Sequence, residues 1–100
     1  MDFLKKVYEN ALAVESRNKP FEVVQQTPTK VYYGSEVVGD YNADVLVEDE
    51  VIVELKTAKA IDEIHKAQLL NYLKATGLKL GLILNLAKPE LEIKRLINEF

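Results

Sequence analysis

Three residues in this 100-residue chain have the types and spacing to carry hydrolytic chemistry: Asp44, Glu54 and Lys56. Glu54 and Lys56 stand two apart in the run Val-Ile-Val-Glu-Leu-Lys. In a β-strand, residues two apart project from the same face. Asp44 belongs to the preceding apolar run, across the acidic turn Glu48-Asp49-Glu50. If Val47 pairs with Val51 over a three-residue loop, Asp44 falls opposite Glu54 and all three share a face. A two-residue loop pairing Val47 with Glu50 turns Asp44 to the other side, because a one-residue slip inverts a strand. The site therefore requires an odd-numbered loop or a compensating bulge.

Two carboxylates about 4.5–5.5 Å apart at Cβ repel each other unless a cation lies between them. Hard oxygen ligands with open water positions suit Mg²⁺, with Mn²⁺ as its substitute. Such an ion polarises a phosphodiester and lowers the pKa of a bound water. Lys56 can orient or deprotonate that water, or stabilise charge developing around phosphorus. The competing reading is that the charges decorate a solvent-facing strand. Against it, the neighbours of Glu54 and Lys56 are apolar, and unpartnered charges in a central strand are costly.

The elements that must hold these residues follow from periodicity. Asp2 to Asn18 reads as a helix, with Leu4, Val7, Tyr8, Ala11, Leu12 and Val14 near helical spacing and Pro20 as its stop. Phe21 to Gln26 reads as a strand that Pro28 interrupts. Thr29 to Tyr33 and Glu36 to Val38 are β-rich and flank a turn at Tyr33-Gly34-Ser35. Ala43 to Val47 and Val51 to Leu55 are near-continuous apolar runs, which indicates central strands covered on both faces. Ile61 to Thr76 reads as a helix closed by Gly77, and Leu78 to Leu86 as a buried strand. The last segment fits either a helix or an edge strand, and the strand is preferred. A strand returning after the second helix can lie parallel to a central one through a right-handed crossover, giving an α/β fold with a mixed central sheet flanked by helices.

Composition bounds the partners. The chain is 48% hydrophobic and 29% charged, a globular balance sufficient for one domain over residues 1–100. The stability margin at this size is thin, and a homodimer would widen it. There is no cysteine, which excludes disulfides, thiolate metal sites and cysteine nucleophiles. The first residues lack a signal-peptide pattern and the longest apolar stretch, near Leu80 to Leu86, is too short for a bilayer. No membrane association and a cytoplasmic location are expected. The net charge of −3 argues against a non-enzymatic nucleic-acid binder, which would draw on Lys56, Lys59, Lys66 and Lys74.

Asp40-Tyr41-Asn42-Ala43-Asp44 followed by Ile52-Val53-Glu54-Leu55-Lys56 resembles the GxxExxY proteins, a branch of the PD-(D/E)xK nuclease superfamily. The resemblance extends to Val7-Tyr8-Glu9-Asn10-Ala11-Leu12 and to Ala67-Gln68-Leu69-Leu70-Asn71-Tyr72-Leu73. It implies a restriction-endonuclease-like αβββαβ core, with Asp44 and Glu54 as metal ligands and Lys56 as the catalytic lysine. Gln68 and Tyr72 resemble the Gln-x-x-x-Tyr element of RecB-type nucleases, and their spacing puts both on one helical face, able to touch DNA or brace the site. His65 shares that flank, where a phosphate or structural contact is the expected role. Glu15, late in the first helix, is a candidate third metal ligand, with a solvated helix charge as the equal alternative. The chain departs from the family's pattern at Asp2 and Lys5, where the name motif has glycine and glutamate, and at Ser16, where leucine is usual. It also begins within the family's first helical region. The function expected is Mg²⁺-dependent hydrolysis of DNA, with RNA as a further substrate. The alternative is a nuclease-fold module, weak or inactive in catalysis, that serves in protein or nucleic-acid interaction.

Overall fold

A computed structural model describes residues 3–87 and 89–98; Asp2 and Phe100, which bound the expected first and last elements, lie outside them. The order is α1 (Phe3–Arg17), β1 (Val23–Tyr33), β2 (Glu36–Val47), β3 (Val51–Lys56), α2 (Glu63–Thr76), β4 (Leu80–Asn85) and β5 (Glu92–Ile97). The five strands form one sheet in the order β1-β2-β3-β4-β5. Only β3 and β4 run parallel, joined through α2; the other neighbours are antiparallel. The final segment is a strand, as preferred from the sequence, and it forms an edge.

The sheet is covered on both faces, which is why β3 is buried along its middle. On one face Tyr41, Ala43, Ile52 and Ile83 pack with Leu69 and Leu73 of α2. On the other, Val23, Val45, Val53 and Leu55 pack with Ala13 of α1. α2 begins at a capping box between Asp62 and His65 and closes at Gly77 in the left-handed conformation, the closing residue expected from the sequence.

One expectation is corrected. Pro28 does not interrupt β1, which runs from Val23 to Tyr33. As an edge strand, β1 needs only one side of its backbone for pairing, so the missing N–H of proline is tolerated. In α1 the apolar residues Leu4, Val7 and Val14 are exposed. The residues buried against the sheet are Glu9 and Ala13.

The decisive local feature is the β2–β3 turn. Val47 pairs with Val51, so the loop has three residues. Glu48 and Asp49 both have positive φ, 56° and 54°, and the Glu50 N–H donates to the Val47 carbonyl at 3.0 Å. This is a type I′ arrangement made without glycine, plus one extra residue. Glu48 is held there from outside: its N–H donates to the Glu22 carbonyl, and its Oε1 accepts the Glu22 N–H, both at 2.8 Å.

α2 approaches β4 over Gly81, where an added Cβ would meet Leu69 Cδ2 at 2.8 Å. Leu69 is itself buried and cannot swing away freely. Gly81→Ala is therefore expected to lower the unfolding free energy by about 1–3 kcal/mol, read from the urea midpoint. Combined with Leu69→Ala it should cost less than the sum of the two; strict additivity would show that the two residues do not meet.

Candidate active site

The β2 strand breaks its alternation once. Ala43 packs with the α2-side cluster and Val45 with the α1-side cluster, although residues two apart in a regular strand face the same way. The residue between them is Asp44. On β1 the paired register runs on either side of Gln26 and skips it opposite Asp44, and Gln26 has φ of 51°. A glutamine in this region is strained, and such strain is characteristic of positions held by their surroundings for a purpose. The β2–β3 ladder also stops here, its last pair being Val45 with Val53. Beyond it the Asp44 side chain takes over, Oδ2 accepting the Leu55 N–H at 2.8 Å.

Around this break lies an open hollow of about 580 Å³, lined by Lys5, Lys6 and Glu9 of α1, Gln26, Asp44, Leu55 to Ala58 and His65. Glu54 is buried, and its Oε1 has no hydrogen-bond partner among the described residues. Burial pushes the Glu54 carboxyl up to about 7, against the opposing influence of Lys56, Lys5 and the Asp44 backbone amide. Asp44 and Lys56 thus line one hollow from adjoining strands, and Glu54, which does not line it, receives a hydrogen bond from the Asp44 backbone.

Glu9 is the residue that sequence reasoning missed. Its carboxylate is almost wholly buried, receiving Gln25 Nε2 at 2.7 Å, Gln26 Nε2 at 2.8 Å and Lys6 Nζ at 3.1 Å. Burial raises its pKa, but the hydrogen bonds from Gln25, Lys6 and Gln26 outweigh that and hold it below the ordinary value. Gln26 Nε2 also lies 3.5 Å from Asp44 Oδ1, linking the two carboxylates through one amide. A signal was present in the adjacent glutamines of a short strand, but it becomes legible only once β1 is paired with β2.

Glu15 is corrected. It is exposed, pairs with Lys19 at 3.1 Å and lines a separate apolar hollow with Tyr8, Leu12, Leu84 and Leu91. Six residues beyond Glu9 at about 100° each, it points well round the helix from the site. Gln68 is exposed and Tyr72 stacks on Tyr41, ring centroids 3.5 Å apart; neither lines the hollow. His65 does, while its Nδ1 accepts the Asp62 N–H in the α2 cap.

The loop from β3 into α2 is fixed by a side chain the sequence left unremarked. Asn85, fully buried, accepts the Ala58 and Ala87 N–H groups and donates to the Ala58 carbonyl and to Glu92 Oε1. Glu92 Oε1 also accepts the Ile61 N–H.

A family model of the PD-(D/E)XK nuclease superfamily matches residues 1–96. The chain belongs to that superfamily. No curated protein matches it. Among solved structures it is similar to the crystal structure of SSO0001, with a TM-score of 0.68 and 17% identity over 97% of this chain and 52% of that one. It is also similar to the alkaline exonuclease LHK-Exo from Laribacter hongkongensis, with a TM-score of 0.58 and 13% identity over 94% of this chain and 56% of the exonuclease. The chain spans about half the length of these structures. At such identities the likeness is one of fold, and it agrees with the restriction-endonuclease-like α/β core expected from the sequence.

The raised Glu54 carboxyl has a consequence for stability. An acid whose folded pKa exceeds its ordinary value binds more protons when folded, so stability falls as pH rises between the two values. For Glu54 that window runs from 4.5 to about 7. In chelator-treated protein, Glu54→Gln is expected to stabilise by about 1–3 kcal/mol above this window and by almost nothing below it. Urea denaturation at both ends measures the difference. An equal effect at both pH values would mean that the carboxyl does not titrate there.

Proposed function

We propose that this chain is a divalent-metal-dependent nuclease of the GxxExxY branch that hydrolyses phosphodiester bonds in DNA. The observation that carries the reading is two buried carboxylates, Asp44 and Glu54, on adjoining strands near Lys56, with Glu54 Oε1 left without a hydrogen-bond partner among the described residues. A buried acceptor with no donor is costly unless something supplies positive charge. Among the described residues no group of three or more histidine, aspartate or glutamate side chains is placed to hold a metal ion, so the ligands proposed are the two carboxylates alone. Two carboxylates fit Mg²⁺, which keeps several waters and is held by one or two carboxylates together with substrate phosphate. Mn²⁺ would substitute.

Asp44 and Glu54 would hold the ion. When bound, it supplies Lewis acidity toward the phosphoryl oxygens and a bound water of lowered pKa. Lys56 is placed to orient that water or to stabilise charge developing at phosphorus. The Leu55 N–H fixes one Asp44 oxygen, and Gln26 and Glu9 restrain the carboxylate from the α1 side. Lys5 and Lys6 border the hollow and give a local positive rim to a chain of net charge −3. This rim suits a phosphate backbone, and RNA is the comparison substrate. His65 would contact phosphate from the α2 side, Gln68 would meet nucleic acid outside the hollow, and Tyr72 would brace β2 through Tyr41.

The second reading is a non-catalytic module of the same fold, favoured by the contact between Lys5 Nζ and Asp44 Oδ2 at 3.6 Å. A homodimer belongs to the proposal as well, supported by the exposed Leu4, Val7 and Val14 of α1; sedimentation as a monomer at tens of micromolar would remove it.

DNA cleavage with Mg²⁺ or Mn²⁺ tests the function. Asp44→Ala and Lys56→Ala are each expected to reduce turnover by about 100-fold or more while circular dichroism stays unchanged. Cleavage that persists in both variants would place the activity elsewhere. An inactive wild-type chain that also fails to bind Mn²⁺ at millimolar concentration would establish the second reading.

A further inference from the structure

We infer that Lys5 is a built-in cation that competes with the divalent ion for Asp44, so that the site is restrained until the ammonium moves away. The inference rests on the metal site proposed above. It starts from where the charge lies. Lys5 Nζ is 3.6 Å from Asp44 Oδ2, the same oxygen that accepts the Leu55 N–H. The Asp44 side chain is 10% exposed and that of Lys5 33%, so the lysine reaches from the helix surface onto a buried carboxylate. The ammonium therefore sits on one of the two carboxylates that would hold the ion.

The other cations at the hollow are placed differently. Lys6 is held by Glu9 at 3.1 Å, away from the Asp44 oxygens. Lys56 belongs to the same strand as Glu54, two residues on. Lys5 alone among the described lysines makes an ion pair with either proposed ligand. A divalent ion at Asp44 and an ammonium at the same oxygen repel each other across a few ångströms, in a setting screened less than open solvent. Binding of one disfavours the other by the same factor, whichever is considered first. The lysine has a flexible stem and a partly exposed head, so it can leave without any change in the fold. In the metal-free protein its charge partly neutralises Asp44, which explains how a buried carboxylate is kept with no ion present.

Titration calorimetry with Mn²⁺ on the full chain tests the competition. Lys5→Met, which removes the charge and keeps the length, is expected to tighten Mn²⁺ binding at least tenfold. It should also lower the melting temperature measured in chelator. Lys5→Arg should bind as the wild type does, and serves as the decisive variant if Lys5→Met folds poorly. Lys6→Met should change the affinity less than threefold. Unchanged or weaker Mn²⁺ binding in Lys5→Met, tightening in Lys5→Arg, or equal tightening in Lys6→Met would overturn the inference. Asp44→Asn separates it from the reading beneath. Loss of Mn²⁺ binding in Asp44→Asn, with no gain in Lys5→Met, sinks the role of Lys5 alone. Undiminished binding in Asp44→Asn sinks the metal site and the role of Lys5 together.

Discussion

Asp44 Oδ2 accepts the Leu55 N–H at 2.8 Å, in the place where the next β2–β3 backbone bond would otherwise fall. A carboxylate is thereby fixed inside a sheet whose two faces are both covered. Such a group is stable only if its oxygens are donated to or its charge is balanced. The molecule supplies both: a backbone amide on one side, the Lys5 ammonium on the same oxygen, and Gln26 near the other. Glu54, one strand over, has no hydrogen-bond partner for Oε1 among the described residues, and burial raises its carboxyl. Asp44 is the satisfied member of the pair and Glu54 the unsatisfied one.

The rest of the fold keeps the break in place. The three-residue turn at Glu48 to Glu50 sets the register, and its two left-handed residues are secured by the exchange with Glu22 rather than by glycine. Gln26 accepts an unfavourable backbone conformation opposite Asp44 and in return bridges Asp44 and Glu9. On the far side, Asn85 and Glu92 tie the loop after Lys56 to β4 and β5. Each device satisfies polar groups that the break would otherwise leave bare.

α1 shows what the site demands of its neighbours. Its sheet-facing side carries Glu9 beside Ala13, while Leu4, Val7, Tyr8 and Val14 point outward. A helix positioned by core burial alone would be rotated the other way. Here the hydrogen bonds from Gln25, Gln26 and Lys6 to Glu9 accompany the rotation that is seen, and an apolar hollow is left between α1 and the outer strands.

Much of this was legible in the residues. The unbroken apolar runs around Val45 and Val53 indicated a doubly covered sheet, and Gly77 closed α2 by local chemistry alone. The spacing of Glu54 and Lys56 put both on one face whatever the fold, because strand alternation is a property of the backbone. The relation of Asp44 to that pair was not legible: odd and even loops were both open, and the contact between Glu22 and Glu48 that favours the odd one spans distant residues. The direction of α1 was likewise undecided, since helical spacing does not say which side meets the sheet, and the contacts of Glu9 with Gln25 and Gln26 of β1 are between distant residues. Sequence alone thus determined which residues had the chemistry, through local periodicity and residue type. Only tertiary structure decided which of them meet, because register, helix rotation and the partner of a buried charge are settled between elements far apart in the chain.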